Sequence, residues 1–196
     1  MSPLTLTGSQ TVGPFFAICL SREDRPPSLK NVLLGTGTTG ERIRIQGHVL
    51  DGERNPVPDA LVEIWQANAH GRYWHPADTR DLPLDPAFTG FGRSDTDDEG
   101  RYWFETIKPG QVPGPGRGLQ APHIVVTVFA RGLLNHAVTR LYFADEPSNA
   151  SDPILARVPA ERREALFAWP HNQGLEKAYQ FDIILQGDRE TPFFNV

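Results

Sequence analysis

Proline and glycine punctuate this chain from end to end, with 18 residues of each among 196. Proline lacks a backbone donor and glycine weakens regular elements, so their frequency favours short strands joined by turns over long helices. Hydrophobic residues make up 39% of the chain, enough to offset the entropy lost when it orders. The composition therefore predicts a folded, strand-rich protein and argues against a helical bundle.

Charge and cysteine usage exclude several functional classes. The 19 Lys and Arg residues are outnumbered by 24 Asp and Glu, and there is no basic block, which argues against nucleic acid as a partner. A single cysteine, Cys19, allows no internal disulfide and no Cys-based metal pair, which favours a reducing compartment. The first residues lack a secretion-signal pattern, and no stretch approaches the roughly 20 apolar residues of a membrane helix. We therefore expect a cytoplasmic protein with no membrane partner.

Alternation of apolar and polar residues predicts the strands, because side chains repeat every two residues along a strand. The alternation is clear at residues 42–50 and 61–66, and further strands are predicted at residues 101–107, 138–143 and 179–185. Residues 123–130, His-Ile-Val-Val-Thr-Val-Phe-Ala, are dense in β-branched side chains and predict a central strand. Glu63 lies among apolar neighbours, so it is either solvated or paired. One short helix is expected at residues 160–168, after Pro159.

The strand pattern begins at Arg42 and is almost absent before it. Residues 1–41 are rich in Gly, Thr, Pro and Ser, apart from an apolar run at residues 12–20. We predict an N-terminal arm over residues 1–41 and a β-sandwich domain over residues 42–196. The fold class is all-β: an antiparallel β-sandwich with long loops and one short helix. The stretch 70–92 is too long for a plain connector, and long ordered loops frequently carry function.

Two familiar motifs are only superficially present, and a third is absent from the sequence. Residues 95–100 place oxygen donors and a glycine as a calcium loop does, but Thr106 stands where a bidentate Glu is required, so a solvated hairpin turn is favoured. The Gly-rich stretch 110–118 lacks the Lys-Ser/Thr and the helix that cradle a phosphate, so it is interpreted as a flexible loop. No Gly-x-Ser-x-Gly elbow occurs, which leaves a serine hydrolase without support.

The six histidines form no pair at the spacing of metal ligands on one element. His123 lies on the strongest strand, where the two-residue period puts it on one face with Val125, Thr127, Phe129 and Arg131. This face is either a cavity lining or a set of satisfied structural residues. The pattern alone favours the second interpretation.

Seven motifs, taken together, resemble one known family. They are Gln-Thr-Val-Gly-Pro-Phe-Phe at 10–16, Ile-Gln-Gly-His-Val at 45–49, Val-Glu-Ile-Trp-Gln-Ala-Asn at 62–68, Pro-Leu-Asp-Pro-Ala-Phe at 83–88, Thr-Ile-Lys-Pro-Gly at 106–110, Ala-Pro-His-Ile at 121–124 and Tyr-Gln-Phe-Asp-Ile at 179–183. Their order and spacing resemble the intradiol ring-cleaving dioxygenases over nearly the whole chain. The same resemblance implies a β-sandwich fold.

Catalytic members of that family hold a non-haem Fe(III) with two Tyr and two His, ligands that suit hard ferric iron. The resemblance aligns the His pair with His123 and Val125, and the two Tyr with positions near Arg80 and Val112. A family arginine that supports the substrate, three residues before the first His, falls at Gln120. We expect no tyrosine near these positions to replace the missing ligands, because the tyrosines of this chain all lie in other motifs: Tyr73, Tyr102, Tyr142 and Tyr179. The resemblance therefore implies that this chain binds no catalytic iron.

Family members that act on 3,4-dihydroxybenzoate consist of two homologous chains, an iron-bearing beta subunit and an alpha subunit that has lost its site. This chain resembles the alpha subunit. The resemblance implies that the partner binds Fe(III), that O2 opens the ring to give 3-carboxy-cis,cis-muconate in the β-ketoadipate pathway of aromatic catabolism, and that alpha-beta heterodimers form a larger assembly. It places Gly13, Pro14 and Arg131 near the substrate in the partner's site. A guanidinium suits the aromatic carboxylate by charge and fork geometry.

Two other functions are compatible with the strand pattern. A transthyretin-like module that binds a small molecule or carbohydrate shares the pattern but does not need the seven motifs. A hydrolase based on His123 lacks a nucleophile elbow. A neighbouring reading frame that encodes a homologue with both His and both Tyr favours the two-chain enzyme, and its absence favours the binding module.

Overall fold

The computed structural model describes residues 8–13, 20, 31–116, 118–171 and 177–195. The strands in these residues are β1 Arg42–Leu50, β2 Leu61–Trp65, β3 Phe91–Asp95, β4 Arg101–Ile107, β5 Val112–Pro113, β6 Leu119–Gln120, β7 His123–Phe129, β8 Ala137–Phe143, β9 Phe167–Pro170, β10 Ala178–Gln180 and β11 Ile183–Ile184. Short 3₁₀ helices lie between β8 and β9, at Pro147–Ser151, Leu155–Arg157 and Ala160–Leu166. The all-β prediction is confirmed.

Two layers of strands face each other. One layer holds β3, β2, β7 and β8 in that spatial order, and the other holds β4, β1, β10 and β11 around β1. Strand β9 pairs with β8 on one side and with β10 on the other, so it joins the layers into one nearly closed sheet. The fold is sandwich-like, and β7 takes the central position that its β-branched residues predict.

The core lies between the two layers and follows the two-residue period of the strands. On β7 the even positions Ile124, Val126 and Val128 are at most 1% exposed. They belong to the same buried cluster as Ile45 of β1 and Phe104 of β4 from the opposite layer. The odd positions of β7 after its first residue are half-buried and face away from this cluster. This division leaves one face of β7 free to line a cavity.

Strand direction differs from the prediction in three places. The pairs β1–β10, β1–β11 and β8–β9 are parallel, so the sheet is mixed and not purely antiparallel. A parallel neighbour requires a long connection that carries the chain back to its starting edge. The segment with the three 3₁₀ helices is that connection for β8 and β9.

Several element boundaries also differ from the prediction. The expected helix at 160–168 is a 3₁₀ helix, Ala160–Leu166, and the chain then enters β9 instead of continuing as a helix. The expected strand at 179–185 is two strands, β10 and β11. Strand β3 falls partly within a predicted loop because its sequence, Phe-Gly-Arg-Ser-Asp, contains one large apolar residue.

The segment before β1 lies against the sandwich where it is described. Leu33 is 2% exposed, and its backbone N–H donates to the Glu105 carbonyl at 2.8 Å. The Thr39 N–H donates to the Asp85 carboxylate at 2.8 Å. The boundary between arm and domain at residue 41 stays a prediction. Most of the apolar run 12–20, including Cys19, lies outside the described residues.

The turn at 95–100 is solvated, as expected, but it is not a hairpin. Strand β3 pairs with β2 whereas β4 pairs with β1, so the turn carries the chain from one layer to the other. The Asp97 carboxylate accepts from the backbone N–H groups of Glu99 and Arg101, which closes the turn locally. In the neighbouring strand, Glu63 is paired with Arg93 of β3, which settles the open question about its environment.

Candidate functional site

A cavity of about 760 Å³ gathers the four positions that the resemblance aligns with iron ligands. Arg80 comes from the long loop after β2, Val112 from β5, and His123 and Val125 from the outward face of β7. The long loop 70–92 and the strand 123–130 were predicted separately, and the fold brings them together in the lining of one cavity. The cavity therefore lies where the resemblance aligns the metal site of the family.

His123 is buried in this wall and is held as a neutral ring. It is 4% exposed, and its Nδ1 lies 2.8 Å from the Ala121 carbonyl oxygen, an acceptor to which Nδ1–H donates. Burial, reinforced by the nearby Arg140 guanidinium, lowers the pKa of His123 to about 4. With the proton on Nδ1, Nε2 is left as an acceptor, and it faces Arg140 Nη1 at 3.5 Å.

The depressed pKa of His123 predicts a pH dependence of stability. An unfolded chain binds a proton at the ordinary His pKa of 6.5, whereas the folded chain does so only near 4. Between these values the unfolded state holds the extra proton, so the free energy of unfolding falls as pH drops through this window and levels off below it. Urea unfolding across the window is expected to show a steeper fall for the natural chain than for His123→Asn. Equal slopes would contradict a neutral, buried His123.

Arg140 of β8 is also among the residues that line the cavity. Its Nη1 donates to Gln120 Oε1 at 2.5 Å, and Gln120 is the position that the family pattern gives to a supporting arginine. Arg140 therefore supplies a positive charge beside Gln120, the position where the family pattern has an arginine. The sequence interpretation missed Arg140, although the antiparallel register pairs it with Val125. Pairing the strong strand 123–130 with the predicted strand 138–143 would have identified it.

Arg80 lies at one side of the cavity with its charge already neutralised. Its Nε and Nη2 donate to the two carboxylate oxygens of Asp78, at 2.8 and 2.6 Å, and Nη2 also donates to the Gly71 carbonyl. Asp78 is 8% exposed at its side chain, and its hydrogen bonds with the Arg80 side chain hold the pKa of the carboxyl far below its usual range. The pair is a fixed part of the loop.

Tyr73 corrects the expectation that no tyrosine lies near the aligned positions. It lines the same cavity, where its ring stacks on Trp65 with centroids 5.8 Å apart and planes 17° from parallel. Burial raises the pKa of its phenol above the usual value, which favours the protonated form. The long loop 70–92, interpreted as a candidate functional segment, is what delivers both Tyr73 and Arg80.

The residues of this cavity do not fit a ferric ion. Two valines and an arginine occupy three of the four aligned positions, and neither side chain type supplies a ligand. The guanidinium of Arg140 lies against Nε2 of His123, where a second cation would be repelled. Across the described residues, no three or more His, Cys, Asp and Glu side chains come together in a way that suits a metal.

Arg131 lies away from this cavity, in the turn after β7. Strand β7 ends at Phe129, so the two-residue period does not extend to Arg131 as the sequence interpretation assumed. Its side chain is 51% exposed and makes one long ion pair, 3.8 Å from Asp59. Such an exposed pair contributes about 0–1 kcal/mol. The guanidinium is therefore available to a further partner.

The structure brings the N-terminal motif next to this turn. The Gly132 N–H donates to Thr11 Oγ1 at 2.8 Å, and Gln10 and Val12 line a small cavity with residues of the same turn. Gly13 follows directly and is exposed. Pro14 lies outside the described residues. Gly13 and Arg131, assigned to one surface by the resemblance alone, thus belong to segments that contact each other.

The sequence of this chain is similar to that of known proteins. The sequence profile of the family described as Dioxygenase matches residues 13–187. The protocatechuate 3,4-dioxygenase alpha chain of Burkholderia cepacia is 44% identical, and the alignment covers all of both chains. The alpha chain of that name from Pseudomonas putida is 40% identical over 96% of each chain. The beta chain from Burkholderia cepacia is 43% identical over 83% of this chain and 72% of its own length.

Solved structures agree on the fold. The dioxygenase domain of a dioxygenase and carbohydrate-binding protein fusion from Streptomyces sp. SirexAA-E is 27% identical, with a TM-score of 0.63 over 92% of this chain and 98% of that one. Catechol 1,2-dioxygenase from Acinetobacter sp. superposes with a TM-score of 0.60 at 23% identity. The described residues contain no helix with the length and hydropathy needed to cross a membrane.

Proposed function

Because the chain belongs to the intradiol ring-cleaving dioxygenase family, we propose that it is the metal-free subunit of a two-chain dioxygenase that cleaves 3,4-dihydroxybenzoate. Identity alone does not choose the subunit, since the chain is 44% identical to an alpha chain and 43% identical to a beta chain of one organism. The residues at the aligned ligand positions, Arg80, Val112 and Val125, cannot bind iron as Tyr and His do, and they support the metal-free subunit. This is the single observation that carries the proposal.

The partner is a homologous beta subunit that holds Fe(III), and this chain contributes to the substrate surface of the partner's site. The overall reaction uses O2 to open the ring of 3,4-dihydroxybenzoate and gives 3-carboxy-cis,cis-muconate. Arg131 binds the carboxylate of the substrate, while Gly13 and Pro14 line the same surface. The guanidinium of Arg131 is half-exposed and has one ion-pair partner at 3.8 Å, which supports this role. A cytoplasmic location and a larger assembly of heterodimers complete the proposal.

Co-expression with the beta subunit tests the proposal directly. We expect the two chains to purify as one complex that consumes O2 with 3,4-dihydroxybenzoate, because exposed apolar side chains such as Leu134, 64% exposed beside the Thr11 contact, suit a covered surface. Each chain purified alone is expected to lack this activity. A monodisperse monomer with no affinity for the beta subunit would refute the two-chain function.

Metal content gives a separate prediction for this chain. Elemental analysis of the separately expressed protein is expected to find no stoichiometric iron, because His123 is the one aligned position that retains a ligand and Arg140 opposes a cation there. The two-chain complex should carry about one iron per pair. Stoichiometric Fe(III) with a phenolate-to-iron visible band in this chain alone would contradict the prediction.

A further inference from the structure

The cavity around His123 carries one uncompensated positive charge. Among the described residues that line it, Asp78 is the one carboxylate, and Arg80 takes both of its oxygens. His123 is neutral. Asp152 accepts backbone N–H groups at 2.7–2.8 Å from Ala121, Ile154 and Leu155, and the Tyr142 hydroxyl, which donates to it at 3.3 Å, stands between it and Arg140. The charge of Arg140 is therefore left without a carboxylate partner in the described part of the chain.

Most of the hydrogen-bonding capacity of Arg140 is also unused. Its contacts with Gln120, His123 and Tyr142 all leave from Nη1, two of them at 3.5 Å. Within the described residues, Nε and Nη2 have no acceptor. These atoms form the edge of a guanidinium that binds a carboxylate through two parallel hydrogen bonds. Arg140 lines this cavity and a neighbouring one, and its guanidinium carbon lies 5.8 Å from the Phe194 ring centroid, which leaves this edge available to an anion.

Much of the remaining wall is apolar or aromatic, although His75 and Thr79 add polar atoms beside the Asp78–Arg80 pair. Val112, Pro113 and Val125 supply aliphatic surface, and the stacked pair Trp65 and Tyr73 supplies ring faces. A volume of about 760 Å³ lies within the range of sites that bind small molecules. A cation at one point and apolar surface over much of the wall match a ligand with one acidic group and an apolar body.

We propose that this cavity is a binding site for a small carboxylate with an apolar body, with Arg140 as the counter-ion. The carboxylate receives hydrogen bonds from Nε and Nη2 of Arg140, and the body packs on Val112, Val125 and the Trp65–Tyr73 pair. Val112 and Val125, at two of the aligned ligand positions, thereby provide apolar surface for the body of the ligand. The site requires no metal and no turnover.

Calorimetric titration of the full chain with benzoate tests this site, with neutral benzamide as the matched probe. We expect benzoate to bind and benzamide to bind at least about tenfold more weakly, because only the carboxylate pairs with the guanidinium. Arg140→Gln should weaken benzoate binding by a similar factor. Arg101→Gln removes an exposed arginine far from the cavity and should leave the affinity within about twofold. Equal binding of benzoate and benzamide, or an unchanged affinity in Arg140→Gln, would overturn the proposal.

Two further measurements keep the test decisive. Circular dichroism verifies that Arg140→Gln is folded, and if it is not, Arg140→Lys keeps the charge and should retain part of the affinity. Titration of the two-chain complex should show one fewer benzoate site per heterodimer in the Arg140 variant than in the natural complex. Because none of these readouts uses turnover, failure of the two-chain function and failure of this site are distinguishable.

Discussion

Replacing Arg131 by alanine in the two-chain complex is expected to raise KM for 3,4-dihydroxybenzoate about tenfold to a hundredfold. A charged hydrogen bond to a carboxylate in a partly desolvated site contributes about 1.5–3 kcal/mol, and this range corresponds to that change in KM. Catechol has no carboxylate, so its KM should change far less. Steady-state kinetics with both substrates on the same preparation measures the difference.

The control for Arg131 is its existing partner. Asp59 lies 3.8 Å from the guanidinium and has a positive φ of 60°, a conformation that asparagine tolerates. Asp59→Asn therefore removes the ion pair with little backbone strain, and it should leave both KM values unchanged. If Asp59→Asn reproduces the effect of Arg131→Ala, or if catechol and 3,4-dihydroxybenzoate lose equally, Arg131 acts on folding or assembly and not on the substrate carboxylate.

The alternation of apolar and polar residues was sufficient to predict the strands that bury one face and expose the other. Residues 42–50 and 101–107 match β1 and β4 in full because alternate positions pack into the core. The predicted strand 179–185 is broken at Asp182. The Asp182 carboxylate accepts the His48 N–H, which in a continuous strand pair would donate to a backbone carbonyl. Parallel pairing of β9 and the 3₁₀ form of Ala160–Leu166 depend on tertiary packing, which the period of a segment does not encode.

The cavity was predictable in part. The aligned positions Arg80, Val112, His123 and Val125 line one cavity. The family resemblance predicted this grouping, whereas the chemistry of the individual residues did not. Arg140 and Tyr73 were missed because their roles arise from register and from the path of a long loop. Arg131 stands two residues past the end of β7, so its assignment to the surface beside Gly13 depends on the Gly132–Thr11 contact and not on strand period.

The strongest expected effect on stability belongs to Gly47, in the middle of β1. A Cβ at this position would lie 1.8 Å from the Phe181 carbonyl oxygen, a backbone atom that cannot rotate away. That oxygen accepts the buried Tyr102 hydroxyl at 2.6 Å, and the Phe181 N–H donates to Gln46. An alanine would therefore push the segment between β10 and β11 away from β1.

Gly47→Ala is expected to lower the free energy of unfolding by about 2–6 kcal/mol, since overpacking a core and breaking a buried hydrogen bond each cost about 1–3 kcal/mol. Urea unfolding followed by circular dichroism measures the loss. Gly118→Ala is the matched control, because among the described residues the new Cβ would meet only Pro153 Cγ, at 3.9 Å. This variant should change stability by less than about 0.5 kcal/mol. Equal midpoints for Gly47→Ala and the natural chain would show that β1 does not hold Phe181 as tightly as this contact requires.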